Sequence, residues 1–403
     1  MSGKIQISRH FSLRSVMEAI IHQGPISRAS IAKQTGLSKQ TISEIVRDLE
    51  ADGLVSVTGR TSGHVGRTAV TYKIVPEAGY IVAVDLGGTK ARVAIADLSC
   101  QILSEEVAPT DHRGGHELIA QIASLSLAMT KKLRIPKKRL KLAVLGVPGV
   151  PGDEGDVLMA PNIRGFDQIN VADALGQQLG IDVIVENDVN LAAFGERWLG
   201  HGQGVDDLAF IALGTGIGAG LMLGGELVRG KTGAAGEIGY LPFGADPFEP
   251  ESRRAGALER AVGTSGIMGR YRALAGVKKT VPEIFDLAEE ADQAALQVLD
   301  ETARDLCRCI HAVCSVIDPE LVVLGGSIGQ RVELVSRVRA LMPLCRTTPI
   351  QIEASLLNAR ASLIGAAAIG LNYLHNSLFG TEAPTGHISL PSMRTSMASE
   401  ATE

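Results

Sequence analysis

Two short glycine turns, each set between apolar runs, constrain this chain most. The first is Val84-Asp85-Leu86-Gly87-Gly88-Thr89-Lys90, which follows the run 80–84 and precedes the run 92–96, both legible as buried strands. The second, Gly214-Thr215-Gly216-Ile217-Gly218, lies between runs 208–213 and 219–223. Adjacent glycines permit positive φ and leave no side chain between backbone N–H groups and an incoming anion, while Thr89 and Lys90 add donors. A phosphate cradle and an ordinary glycine hairpin both fit the first heptapeptide, because short glycine motifs are weak evidence alone. Their repetition carries more: each half offers strand, glycine-threonine turn, strand, so the body reads as a duplicated α/β fold.

The stretch between the turns supports that plan. Strand 102–109, helix 117–133, strand 140–145, helix 171–179 and strand 181–185 follow in order, before Glu186-Asn187-Asp188-Val189-Asn190. That last motif sits where a strand ends and a helix begins, the place at which α/β proteins present side chains to ligands. An acid there can accept a proton. Farther on, strand 320–324 runs into Gly325-Gly326-Ser327, a glycine pair suited to close approach by a flat base or ribose.

Bulk properties narrow the class. The 403 residues are 45% hydrophobic and 21% charged, the composition of a folded globular chain with room for two or three cores. No apolar run approaches the ~20 residues that span a bilayer, and the N-terminus lacks the sections of a signal peptide, so a cytoplasmic protein without a membrane partner is expected. Five cysteines, an odd number, point to reduced thiols.

Charge is uneven. Residues 1–75 hold ten Lys and Arg against five acids, a head of +5 on a chain of net −5, so the body carries −10. A basic head on an acidic body implies a polyanionic partner for the head alone. Its pattern is that of a winged helix-turn-helix. A helix over 12–22 stops at Gly24-Pro25, a second begins after Ser27 and ends at Gly36, and Ser38 caps a third whose Ile42, Ile45, Val46 and Leu49 form one stripe. Ser38, Lys39, Gln40, Thr41, Ser43 and Arg47 lie on or near the opposite face, where a recognition helix reaches base edges in the major groove. Strands 54–57 and 70–74 form a wing whose tip carries Arg60, Gly63, His64, Gly66 and Arg67, suited to DNA backbone or minor-groove contact. A helical protein–protein module agrees less well with the wing and the charge.

Taken together, these residues resemble the ROK family of repressors and sugar kinases, within the actin, hexokinase and Hsp70 superfamily. The resemblance runs from about residue 10 to residue 375. It implies an α/β chain with a winged helix-turn-helix domain (1–75) and a two-lobed actin-like ATPase body of ribonuclease H-like fold (80–375); the tail 376–403, rich in Ser, Thr and Met with Pro384 and Pro391, reads by composition as disordered. Asp85, Gly87, Gly88, Thr89 and Lys90 look like the first phosphate motif, Gly214, Thr215 and Gly216 the second, and Gly325 and Gly326 the adenosine motif. Asn162, Asn187, Asp188, Glu237 and Glu259 match the family's sugar ligands, and Asp188 its catalytic base. The head favours a sugar-responsive transcriptional regulator of carbohydrate genes, a repressor more than an activator, bound to double-stranded operator DNA as a dimer or tetramer. An ATP- and Mg2+-dependent sugar kinase is the alternative.

The departures matter as well. Tyr240 stands where family members carry histidine, and no cysteine lies between Cys100 and Cys307, so structural zinc is not expected. The segment 240–259 is instead expected to be held by Leu241, Phe243, Phe248 and Leu258. Cys307 and Cys314 fall on an apolar helical stripe, with Cys309 and His311 expected to point elsewhere, which reads as core rather than metal site. Trp198 reads as core, and Lys131, Lys132, Lys137, Lys138 and Arg139 as solvated.

Overall fold

In a computed structural model that describes residues 2–61, 69–152, 155–158 and 163–378, the chain opens with helix α1 (Ser2–Gln23). This helix starts well before the 12–22 stripe. Periodicity reports which turns are buried, not which residues are helical: Val16, Met17 and Ile20 are buried, whereas Phe11 is exposed. Strand β1 (Ile26–Ser27) leads into α2 (Arg28–Thr35), begun by the Ser27 hydroxyl accepting the Ser30 N–H and ended by Gly36 at φ 70°. Helix α3 (Lys39–Ala51) is capped by Ser38 and buries Ile42, Ile45, Val46 and Leu49, as its stripe dictates. Strands β2 (Val55–Thr61) and β3 (Ala69–Ile74) complete a sheet of order β1-β3-β2. The wing tip with Arg67 lies outside the described residues, as does Asn162.

Residues 75–79 join head to body and are tied on both sides. The Val75 N–H donates to Leu54 (2.9 Å) and the Leu98 N–H to Pro76 (3.2 Å), and the Arg139 guanidinium donates to the Glu77 carbonyl (2.7 Å). A side chain at Gly79 would touch Lys141, Leu374 and Leu98. The junction is therefore part of the packed structure rather than a free linker.

The described residues fall in two units: those up to Val147 with 155–185 and from Ala366 onward, and Pro148–Gly152 with Glu186–Gly365. In the first, strands β4 (Tyr80–Leu86), β5 (Lys90–Asp97) and β6 (Ile102–Pro109) precede α4 (Gly115–Lys132) and β7 (Leu140–Val147). After short strands β8 (Val150–Pro151) and β9 (Val157–Leu158) come α5 (Val171–Leu179) and β10 (Asp182–Asn187). The sheet order is β10-β7-β4-β5-β6, with β4 antiparallel to β5 and parallel to β7. Leu118 and Ile122 of α4, Leu175 of α5 and Phe166 fill the core on one face.

The second unit repeats the plan. Helix α6 (Asp188–Leu199) precedes β11 (Leu208–Leu213), β12 (Ile217–Leu223) and β13 (Glu226–Leu227). Five helices follow: α7 (Pro250–Ala255), α8 (Ala257–Val262), α9 (Thr264–Ala275), α10 (Val281–Glu289) and α11 (Gln293–Ile317). Then come β14 (Leu321–Gly325), α12 (Gly326–Gly329), α13 (Val332–Cys345), β15 (Gln351–Ala354) and α14 (Ala361–Leu378). The order is β13-β12-β11-β14-β15, with β11 antiparallel to β12 and parallel to β14. Within the first unit, the end of α14 covers the other face of its sheet, where Gly370 leaves room for Ile81 and Val144.

Three expectations are corrected here. Cys309 is fully buried beside Cys307 and Cys314, because α11 is packed over a wider face than one stripe, while His311 is exposed. Burial pushes the Cys307 and Cys309 thiols up to about 12. Phe248 is 88% exposed and holds nothing. The loop is instead clamped by Arg260, which donates to Glu249 (2.5 Å) and Ser252 (2.6 Å), together with buried Leu258 and partly buried Leu241 and Phe243. Lastly, 376–378 belong to α14, with Asn376 buried; residues from 379 on lie outside those described.

These burial differences predict unequal effects. Phe285→Ala, at a fully buried ring, should lower unfolding stability by about 3–5 kcal/mol, whereas Phe248→Ser should stay within about 0.5 kcal/mol of the parent. Denaturant unfolding followed by circular dichroism measures both, and comparable losses would contradict the corrected packing.

Candidate functional site

The first glycine turn is closed by its own backbone, the Gly87 N–H donating to Lys90 (2.9 Å). Neither Gly87 nor Gly88 has positive φ, contrary to expectation. At 87 glycine allows a close approach, since a Cβ there would sit a tight 3.2 Å from the Lys90 carbonyl. Buried Thr110 fastens the turn, its hydroxyl donating to Gly87 (2.7 Å) and its N–H to Thr89 (3.0 Å). Nothing in the sequence singles out this residue, because its partners are backbone carbonyls. Gly88, Thr89 and Lys90 are exposed, and Asp85 lies opposite Arg92 across β4 and β5 with 3.9 Å between carboxylate and guanidinium.

In the second unit the corresponding turn meets a carboxylate. The Ile217 N–H donates to Glu259 (3.2 Å), and a Cβ on Gly216 would collide with that carboxylate. The Gly214 carbonyl accepts from the Thr264 hydroxyl at the start of α9 (3.1 Å) and a Cβ on Gly214 would lie 3.3 Å from the Ser327 hydroxyl, so turn, Glu259 and Ser327 share one neighbourhood. At Gly325 and Gly326 the space a side chain would fill is taken by the Phe210 ring and the Leu213 carbonyl.

Asn187 ends β10 and caps α6. Its oxygen accepts from the Val189 and Asn190 N–H groups (2.9 and 3.0 Å), and its amide donates to Gly149 (2.9 Å). With both lone pairs engaged, Asn187 has one N–H left to offer a ligand. Asp188 is the first residue of the helix, where the aligned peptide dipoles stabilise a carboxylate.

Glu237 opens a 3-10 turn (Ile238–Tyr240), and Glu259 lies in the first turn of α8. The two are brought side by side because Gly256, at the start of α8, sits against the Gly239 carbonyl. Burial raises the pKa of each. Glu237 also raises that of Glu259, which the Ile217 N–H partly offsets. The Tyr240 hydroxyl donates to the Arg254 carbonyl (3.2 Å), so it can only accept from a ligand; burial and then the charges of Glu237 and Glu259 raise its pKa. This edge of the site is built from acceptors and fits ligand hydroxyls.

Sequence reasoning missed two further members. Glu186 is buried and its carboxylate accepts from Asn187 N–H, from the Asn190 amide (both 3.0 Å) and from Arg229 (2.8 Å). An acid closing an apolar strand was the only available signal. Among the described residues no group of three or more His, Cys, Asp or Glu is arranged to hold a metal ion.

The raised carboxyls carry a pH signature. A carboxyl whose folded pKa lies above its unfolded value contributes stability below about pH 4.5 and loses it as pH rises through the folded value. As pH rises through the raised values the pair therefore costs stability. Glu237→Gln should raise the unfolding temperature at pH 7 and do so less at pH 4. Thermal melts across that range test this; a lower melting temperature for Glu237→Gln at pH 7 would contradict it.

In the head, Lys39, Gln40 and Arg47 are exposed on α3. Gln40 donates to Glu44 (3.2 Å), and Arg47 approaches Asp48 at 3.8 Å. The Ser38 hydroxyl is used as the cap, accepting the Thr41 N–H at 3.1 Å, and Ser43 donates to the Lys39 carbonyl at 2.8 Å. Arg60 is on β2, opposite Val70.

Comparison with known proteins agrees with this division. Residues 15–67 match the MarR family, and residues 81–372 match the ROK family. Over 376 residues, 88% of this chain and 94% of the other, the protein is 25% identical to the xylose repressor of Caldicellulosiruptor bescii. Over 274 residues, 62% of this chain and 81% of the other, it is 31% identical to the glucokinase of Halalkalibacterium halodurans. A solved ROK family transcriptional regulator, a homolog of the E. coli MLC protein, superposes with a TM-score of 0.75 over 92% of this chain and 98% of that one; at 23% identity this is likeness of fold. With a family match that takes in both glycine turns and every described ligand candidate, the chain belongs to the ROK family.

Proposed function

We propose that this protein is a sugar-responsive DNA-binding transcriptional regulator, a repressor of carbohydrate genes, whose winged helix-turn-helix (1–75) grips an operator and whose body (80–375) binds the effector. The observation that carries this reading is the basic head with Lys39, Gln40 and Arg47 exposed on a capped α3, joined to the body through a pinned junction. Its resemblance to a xylose repressor over most of both chains supports the same reading. The regulator acts as a dimer on a two-fold operator, since one recognition helix reads too few base pairs for useful specificity.

The effector presents hydroxyl groups, unsubstituted, to Glu237, Glu259 and Tyr240, because these offer acceptors and no donor. Asp188 and the remaining N–H of Asn187 take further hydroxyls, and Asn162 contributes from its own segment. Differential affinity of the sugar for two arrangements of the body shifts the head's grip by about 1–3 kcal/mol, or about 5 to 150-fold.

A second reading, a kinase, draws on the glucokinase likeness and on the retained Asp85, Gly87, Gly88, Thr89, Lys90, Gly214, Thr215, Gly216, Gly325, Gly326 and Asp188. In it Asp188 takes the proton of a sugar hydroxyl while ATP, with Mg2+ as its counterion, donates the phosphoryl group. Asp188 and Asp85 are carboxylates of the kind that suit this chemistry, and the exposed Lys90 suits a phosphate.

Two measurements separate these readings. Lys39→Ala with Gln40→Ala should relax sequence preference in a binding selection on random duplexes, while Arg67→Ala weakens binding to all sequences and flattens its salt dependence. ATP consumption across a panel of sugars should be abolished, if present, in Asp188→Asn, with DNA binding intact. Unaltered DNA selection in the head variants would overturn the regulator reading.

A further inference from the structure

We propose that Arg229 is a positioning residue of the sugar site, locking the segment that carries Glu237 onto the segment that carries Asn187 and Asp188. The inference rests on the reading that these residues hold a sugar, and it concerns how the second unit fixes them. Glu186 is 6% exposed and divides its carboxylate between two tasks. One oxygen accepts from the Asn187 N–H and from the amide of buried Asn190, both at 3.0 Å, fixing the first turn of α6. The other receives both Nε and a terminal nitrogen of Arg229, at 2.8 and 2.7 Å.

Arg229 stands at the root of the loop that leads to Glu237. Its carbonyl accepts the Ala235 N–H (3.1 Å), the Glu237 N–H donates to Ala234 (3.3 Å), and the Gly236 carbonyl accepts from Ala219 on β12 (2.8 Å). Gly233, at φ 77°, leaves room for Pro151 and Val150, in the segment that Asn187 also grips through Gly149. Ligand groups distant in sequence are thus held by a ring of contacts, in which the Arg229–Glu186 pair is the charged member. Only a guanidinium presents two N–H groups to one carboxylate oxygen in fixed geometry; a lysine offers a single mobile head. Arg229 is itself half exposed, so removing it opens that carboxylate oxygen to solvent and cuts the tie between the two segments, loosening Asn187 and Asn190 while the rest of the core stays packed.

The test compares Arg229→Ala, Arg229→Lys and Glu186→Gln with Arg197→Ala, which breaks a different ion pair of the same unit, Arg197 with Asp206. Affinity for D-xylose and for D-glucose, the probes, is measured by calorimetry, global stability by thermal melting, and amide hydrogen exchange of 187–190 and 235–237 on the sugar-free protein. Arg229→Ala should lose at least tenfold in affinity and exchange faster at both segments, with a melt close to that of the parent. Arg229→Lys should recover part of the affinity, Glu186→Gln should fall between, and Arg197→Ala should bind as the parent does. Parent-like affinity in Arg229→Ala, or exchange unchanged at both segments, overturns the proposal. A parent protein that binds no sugar overturns the functional reading instead, and the exchange data alone then decide the role of Arg229.

Discussion

Two carboxylates half-buried beside each other, both with pKa values raised by burial and that of Glu259 also by the charge of Glu237, are the constraint around which the second unit is arranged. Such a pair costs stability once pH rises through its raised pKa values, and nothing in the packing of a core requires it. In the proposed function the pair accepts the hydroxyl donors of the effector. The surrounding construction serves to keep the pair in place: Gly256 against Gly239 brings the segments together, Gly216 yields its side-chain space to Glu259, and the Ile217 N–H fixes one oxygen of that residue. Stability given up at a site and recovered in the scaffold is the usual mark of binding machinery.

The same economy of contacts appears in the first unit, where the phosphate-like turn is held by Thr110 and the head is joined by a junction bonded at both ends. A regulator needs a head that follows its body. Hydrogen bonds from Val75 and to Pro76 and Glu77 leave little slack between β3 and β4.

How much of this was legible in the sequence depended on whether a feature was local. Helix α3 could be read to the residue, because its cap, its stripe and its polar face lie within one stretch. The duplicated strand-turn-strand plan was legible for the same reason, and α5 and β11 have the bounds their patterns suggest. Long-range partners were not. Arg229 meets Glu186 and Arg260 meets Glu249 through folding alone, and Thr110 binds only backbone. Phe248 and Cys309 show the converse: residue type suggests core or stripe, but the loop path leaves one ring in solvent and the width of the packed face buries the other thiol. Gly87 was read as permitting positive φ and baring the backbone; its φ is not positive, and its missing side chain instead allows close approach to the Lys90 carbonyl.

The central claim is that a sugar held by Glu237 and Glu259 changes the head's grip on DNA without phosphoryl transfer. It is tested most directly by the affinity of the full chain for its operator, by fluorescence anisotropy, with and without the effector sugar and with ATP absent, in the parent and in Glu237→Gln. The account predicts about a 5 to 150-fold change in the parent and little or none in the variant, with equal affinity for DNA when sugar is absent. A sugar effect that appears only when ATP is present, or one that persists undiminished in Glu237→Gln, would contradict it.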